Sequence, residues 1–280
     1  MRRLLAAVLF VSLALSTSVL PGAAGQGFHP TCETSLPFQL GTLKQINPID
    51  NTCDLDGEGS ARSRAQNTAK NNFCASGPTV RVTHNTFFRL NQRIETRLTN
   101  MGVPFGTPTQ IPDSRDMLDD VLTVGGVSIG EGSVVRYVGF VLKAHHSNVS
   151  GGEKVNCDRS GARNNDIHIA LGPNPATVPC DSITAEISPH FRPDSWNEFD
   201  QYEFTHPVRL TGHLFYDASH RPCRPGHPAS PARLSSWEIH PVYAIDVCRN
   251  STLGGCPAND ESKWTPFHVW VTLPDDDESR

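Results

Sequence analysis

What this 280-residue chain lacks narrows its chemistry first. No C-x2-C pair occurs, which removes the usual spacing of zinc fingers and ribbons. No G-x-x-x-x-G-K-[ST] or G-x-G-x-x-G string is present, so the phosphate-cradling and dinucleotide loops are excluded. A strand-to-helix serine elbow is not expected, and with 12 His residues a Ser-His-Asp set could be drawn almost anywhere. Basic charge is short: 24 Lys and Arg face 29 Asp and Glu, a net charge of −5, which argues against binding along a nucleic-acid backbone. Past the N-terminus no run approaches the roughly 20 apolar residues that a membrane span needs. Aromatic residues make up only 8% of the chain, whereas 22 Gly and 22 Pro suit a β-rich, loop-rich protein.

The opening MRRLLAAVLFVSLALSTSVLPGAAGQG has Arg2 and Arg3, an apolar run from Leu4 to Leu15, and small residues at Gly22, Ala23, Ala24 and Gly25. Basic, apolar and small segments in that order read as a secretory signal, with cleavage expected near Ala24 or Gly25. All eight cysteines follow it: Cys32, Cys53, Cys74, Cys157, Cys180, Cys223, Cys248 and Cys256. An even count in an exported chain favours disulfides. Grouping by region suggests Cys157 with Cys180 and Cys248 with Cys256. Cys32, Cys53 and Cys74 form an odd trio, so one member must reach elsewhere, with Cys223 as a candidate. The mature protein is expected to be soluble and either secreted or periplasmic.

Four segments follow from composition and periodicity. Residues 1–25 are the signal peptide, and 26–126 a disulfide-tethered extension of helices and loops. Residues 127–248 form a β-domain, and 249–280 a tail ending in the acidic DDDESR. Within the extension, SARSRAQNTAKNNFCA (Ser60 to Ala75) has good helix formers behind a Ser N-cap. THNTFFRLNQRIETRL (Thr83 to Leu98) places Phe87, Leu90, Ile94 and Leu98 at helical spacing, with Thr83 or Asn85 as the cap. DNTCDLDGEGS (Asp50 to Ser60) resembles a calcium loop only in part. With Gly57 sixth, Thr52 and Ser63 occupy the first and twelfth positions, where acids are required, so the stretch reads as a turn.

From Gly130 the period changes to two. Strands are expected in SVVRYVGFVLKAHHSNV (Ser133 to Val149), NNDIHIALG (Asn164 to Gly172) and SITAEISPH (Ser182 to His190). A helix is expected in RPDSWNEFDQY (Arg192 to Tyr202), then strands in HPVRLTGHLFYDASH (His206 to His220) and RLSSWEIHPVYAIDV (Arg233 to Val247). The order β-β-β-α-β-β is that of a five-stranded OB-like barrel, and the fold class is mainly β.

The segments NDIHIAL, TAEISPHFRP, VRLTGHLFYDASH and WEIHPVYAIDV together resemble a group of uncharacterised exported bacterial proteins with an OB-fold-like domain. The resemblance covers roughly Gly130 to Cys248, and KNNFCA (Lys70 to Ala75) shares it. It implies a fold and an address, not a reaction.

One face of the expected strands carries the chemistry. Alternation sets Asp166 and His168, then Glu186, then His213 and Asp217, then Glu238 and His240 opposite the apolar residues, with His220 just beyond. In the closing strand it places Trp237, Ile239, Tyr243, Ile245 and Val247 on the apolar side. His with Asp or Glu is a ligand set for a borderline divalent cation, and the metal candidates are His168, Glu186, Glu238 and His240. A bound cation could activate water for ester or phosphoester hydrolysis, with His168, Glu186, Asp217, His220, Glu238 and His240 as catalytic candidates. The same face could instead form a ligand groove lined by His213, Phe215 and Arg221, or remain a solvated or self-satisfied structural network. Three readings stay open: a non-catalytic ligand or partner binder, a secreted metal-dependent hydrolase, and a structural envelope component.

Overall fold

Nine strands and three helices organise residues 48–75, 77–102 and 115–274, which are those the computed structural model describes. The signal segment, Cys32 and the DDDESR tail lie outside them. In chain order the elements are α1 (Ala61–Lys70), β1 (Val80–Arg81), α2 (His84–Asn100), β2 (Leu122–Val124), β3 (Val127–Ile129), β4 (Val134–His146) and β5 (Ile167–Gly172). They continue with β6 (Ile183–Ile187), β7 (Val208–Tyr216), β8 (Trp237–Cys248), β9 (Trp264–Pro266) and α3 (Phe267–Trp270).

Five strands close on themselves in the order β4-β5-β6-β8-β7, with β7 returning to β4. All contacts in the ring are antiparallel except β6 with β8, which is parallel. This is the expected OB-like barrel, and closure removes the edges that an open sheet would expose. Short additions extend the sheet: β1 lies parallel to β4, and β9 antiparallel to β8. β2 and β3 form a separate hairpin.

The alternation that made these strands legible also fills the core. Ile167, Ile169, Leu171, Ile183, Ala185, Leu210, Leu214, Trp237 and Ile239 are fully buried in one cluster. Helix α2 adds Phe87, Leu90, Ile94 and Leu98 to it, four side chains each worth roughly 1.5–3 kcal/mol on burial. α2 starts where its cap dictates: Thr83 and Thr86 exchange side chain and backbone hydrogen bonds in a capping box. Ser60 caps α1 in the same sense, accepting from the Ser63 N–H.

Four expectations need correction. The helix expected at 192–202 is two short 3-10 turns, Asp194–Trp196 and Phe199–Gln201. The Asn197 side chain donates to the Asp194 carbonyl and accepts from Arg192 Nε, and such local bonds compete with helical ones. Tyr243 does not join the barrel core. The β7–β8 register slips around Gly212, so Val242 turns inward and Tyr243 outward. Gly212 permits the slip, because a Cβ there would lie 2.5 Å from the Pro241 carbonyl oxygen. Residues after 248 are more than a tail: Trp264 packs on the Cys248–Cys256 pair, and Phe267 and Trp270 join the main core.

The disulfide pairing also differs in part. Cys248–Cys256 forms as expected, but Cys157 bonds Cys53 and Cys180 bonds Cys223. Cys74 is disulfide-bonded too. The Cys53–Cys157 bridge ties the extension to the β4–β5 loop. Beside it Gly57, at φ +53°, approaches so closely that a Cβ would sit 2.3 Å from the Lys154 carbonyl oxygen.

Candidate metal centre

Strand register assembles the polar face from both sides. His168 of β5 stands directly opposite Glu186 of β6, and Thr184 of β6 is level with Glu238 of β8. Two residues along from Glu238, His240 comes level with Glu186, while Asp166 lies one residue before β5. The β4–β5 loop then folds Glu153 back over Asp166, whose backbone N–H it accepts at 3.4 Å.

This face is roofed. α1 lies across it, and Lys70 at its C-terminal end brings Nζ to 3.5 Å from Glu186 Oε2 and 5.9 Å from the Phe215 ring centre. Gln66 donates to Ser219 Oγ and accepts from the Ala218 N–H. Farther along, the Tyr243 hydroxyl donates to the Asn72 carbonyl and accepts from the Ala75 N–H. The KNNFCA segment is therefore the clasp of the cover.

Beneath it the charges form two groups. Arg233, fully buried, reaches Glu238 with Nη1 and Asp217 with Nη2, the latter at 3.1 Å, and His220 Nδ1 stands 2.7 Å from the same Asp217 oxygen. At the other end the His240 ring lies between two acids, with Nδ1 2.8 Å from Glu186 Oε2 and Nε2 3.9 Å from Asp166 Oδ2. His168 Nε2 is 3.4 Å from Glu186 Oε1 and 3.8 Å from Glu153 Oε1.

The second group has little hydrogen bonding of its own. Both His240 nitrogens, Asp166 Oδ2, Glu186 Oε2 and His168 Nε2 are buried and make no hydrogen bond. At 2.8 Å the His240–Glu186 pair is close enough for one, yet the atoms are not aligned for it. Donor atoms of Asp166, Glu186 and His240 all fall within 4.8 Å of one another, and so do those of Glu153, Asp166 and His168. Ligand atoms around a tetrahedral zinc are roughly 3.3 Å apart, so modest rotamer adjustment would bring either set round one cation. Asn156 supports both from behind, donating at 3.3 Å to Asp166 Oδ1 and at 3.3 Å to Glu153 Oε2.

Burial and charge pull against each other here. Burial pushes the Glu186 carboxyl up, but His168, Lys70 and His240 together hold it well below the ordinary carboxylate range. Burial disfavours a charged His240, yet the nearby carboxylates of Glu186, Glu238 and Asp166 raise its pKa above the ordinary imidazole value. Glu153 is raised, first by burial and then by Asp166. Without a further cation, the acids are neutralised by Lys70 and by a His240 ring kept protonated where its N–H groups make no aligned hydrogen bond.

Of the sequence candidates, His168, Glu186, Glu238 and His240 do come together, and Asp217 and His220 form the Arg233 group beside them. Glu238 leans to both, with Oε2 3.8 Å from His240 Nδ1. The groove expected at His213, Phe215 and Arg221 is closed. His213 and Phe215 are fully buried, Phe215 beneath Lys70 and Arg115, and only Arg221 is exposed. His213 is a neutral pin: Nδ1 donates to the His240 carbonyl at 2.7 Å, Gly132 N–H donates to Nε2, and burial takes its pKa down to about 3. Lys70 and Glu153 escape sequence reasoning, since both lie where no period marks a face. His145, the last residue but one of β4, stands directly opposite His168, with ring centres 5.5 Å apart. The chain does contain one G-x-S-x-G string, Gly126 to Gly130. It lies in the β2–β3 hairpin with Ser128 exposed, not at a strand-to-helix turn, so it builds no nucleophile elbow.

The barrel and its polar face thus define the protein by class as a closed, disulfide-tied β-barrel with a buried His–carboxylate cluster. Comparison with protein-family models, curated proteins and solved structures finds no match that would narrow this further. None of the described helices is long and apolar enough to cross a membrane.

Proposed function

We propose that the protein is an exported, OB-like binding protein whose ligand is a divalent cation, held non-catalytically by Asp166, Glu186 and His240 with His168 and Glu153 at the outer side. One observation carries the reading: donor atoms of Asp166, just before β5, Glu186 on β6 and His240 on β8 are buried within 4.8 Å of one another, and Asp166 Oδ2, Glu186 Oε2 and both His240 nitrogens make no hydrogen bond. Buried polar atoms are ordinarily satisfied, and the cost of leaving several unsatisfied in one place is recovered if a cation takes their lone pairs. Mixed imidazole and carboxylate donors suit zinc or manganese better than calcium. The roof formed by α1 occupies the space a bulky substrate would need, which favours binding over turnover. The N-terminal signal pattern and the disulfides support a secreted or periplasmic address, as does the resemblance to exported OB-like proteins.

The metal content of the mature protein, purified with its disulfides intact, tests this reading. Near-stoichiometric zinc or manganese, lost in the His168→Ala/His240→Ala double variant, is the expected result. No metal in either protein after reconstitution with zinc, manganese and calcium would leave the network as a structural fixture.

A hydrolase reading rests on a separate observation. The side chains of His168 and Glu153 are 19% and 18% exposed, and His145 stands outside them, so the cluster has a narrow opening. Turnover of a small activated phosphoester or ester that requires the metal and vanishes in His240→Ala would establish it.

A further inference from the structure

On another side of β8 one more buried polar atom, His190 Nε2, is left without a hydrogen-bond partner. A cleft of about 640 Å³ is walled by Phe73, Phe191, Pro193, Trp196 and Tyr243, and His190 lines it. His190 is 1% exposed; its Nδ1 lies 3.2 Å from Asp50 Oδ1, and its Nε2 is buried without a hydrogen-bond partner. Asp50 also accepts the Phe191 N–H at 3.1 Å, and Phe191 sits at φ +55°, a left-handed conformation that bulky residues rarely hold. One buried carboxylate therefore fixes both the ring of His190 and the backbone of the aromatic residue after it. Strain maintained in this way is commonest at ligand sites.

We infer that this cleft binds a small planar aromatic molecule through a hydroxyl group that donates to His190 Nε2. The tautomer dictates the sense. Asp50 can only accept, so Nδ1 carries the proton and donates it in a hydrogen bond, and in the neutral imidazole the lone pair lies on Nε2. A ligand must then bring a donor, and the walls ask for a flat apolar body: Phe73 and Phe191 meet edge-to-face at 5.1 Å, with Trp196 and Pro193 beside them. A phenol satisfies both demands, and the volume is of the size that holds small organic ligands. The metal reading is not required, since none of its residues lines the cleft.

The test compares p-cresol with its methyl ether, 4-methylanisole, by calorimetric titration of the disulfide-bonded protein. p-Cresol should bind saturably and about tenfold more tightly than the ether, the ratio expected of one satisfied hydrogen bond. Asp50→Asn presents an amide that can donate to Nδ1, which moves the imidazole proton to Nε2; the preference for cresol should then disappear. Equal affinity of cresol and ether for the unaltered protein would overturn the proposal, as would no binding of either. An unchanged preference in a folded Asp50→Asn protein, checked by circular dichroism, would overturn the role given to the tautomer. Because the first comparison uses no variant, it decides the matter even if Asp50→Asn does not fold.

Discussion

At one end of the barrel's polar face Arg233 lies between Asp217 and Glu238; at the other His240 lies between Glu186 and Asp166. Both cations are fully buried and both are flanked by two acids. The ends differ in what the cation can deliver. A guanidinium offers a planar fork of donors that serves two carboxylates and, through Nη2, the His220 carbonyl as well. An imidazole has two nitrogens in fixed directions, and here neither is aligned with an acid. The Arg233 end is a clamp in which both acids are hydrogen-bonded, although Arg233 Nε and Glu238 Oε2 carry no hydrogen bond of their own. The His240 end is built of strong donors left unspent, which is how a binding site differs from a structural ion pair.

Substitution should separate the two ends most sharply in stability. Arg233→Met leaves Asp217 and Glu238 buried without their counter-charge and should cost about 3–5 kcal/mol in denaturant unfolding. His240→Gln, measured with a chelator present, removes a charge that makes no aligned hydrogen bond and should cost about 1–2 kcal/mol. Equal losses would break the distinction between clamp and receptive site.

Metal linkage sharpens the comparison at the next magnitude down. A cation that binds only the folded protein stabilises it by about 2.7 kcal/mol at a hundred times its dissociation constant. Zinc or manganese should raise the unfolding midpoint of the natural sequence by that order and leave Asp166→Asn/His240→Ala unmoved. Arg233→Met, though weaker at the outset, should keep the whole increment if it still folds. Stabilisation of the Asp166→Asn/His240→Ala protein to the same degree would place the cation elsewhere.

How much of this was legible without coordinates depends on whether a period existed to be read. His168, Glu186, Glu238 and His240 occupy alternate positions of regular strands, so their shared face follows from a repeat of two. The caps of α1 and α2 and the OB-like strand order were legible for the same local reasons. Lys70 and Glu153 were not, because a helix end and an irregular loop carry no signal about which face they will cover. Tyr243 was misassigned because two register slips beside Gly212 invert the alternation only between them, and Ile245 and Val247 regain the expected face. The closing of the groove at His213 and Phe215 was invisible, since it depends on α1 docking from sixty residues upstream of the barrel's first strand, roughly the separation of Lys70 from Val134. Cysteine pairing followed region for Cys248–Cys256 alone; the Cys53–Cys157 and Cys180–Cys223 bridges are decided by which loops meet.

The smallest effect lies at the exposed margin of the Arg233 clamp. His220 is held by its hydrogen bond to Asp217, which raises its pKa against the opposing pull of burial. A raised histidine adds stability that is fully present below about pH 6.5, its unfolded pKa, and is lost as pH rises through the folded value. Asp217 behaves oppositely. Burial pushes it up, but Arg233, His220 and Lys70 bring it far below the carboxylate range, so its contribution is intact above about pH 3.9 and falls away in acid. Between those limits the pair is at full strength. His220→Ala should therefore be less stable than the natural sequence near pH 5.5, with the gap narrowing as pH climbs past neutrality. Since the His220 side chain is 47% exposed, solvent screening keeps the difference under about 1 kcal/mol. A gap that stays constant from pH 5 to 9 would mean that His220 contributes through packing alone, and that the clamp is complete in Arg233, Asp217 and Glu238.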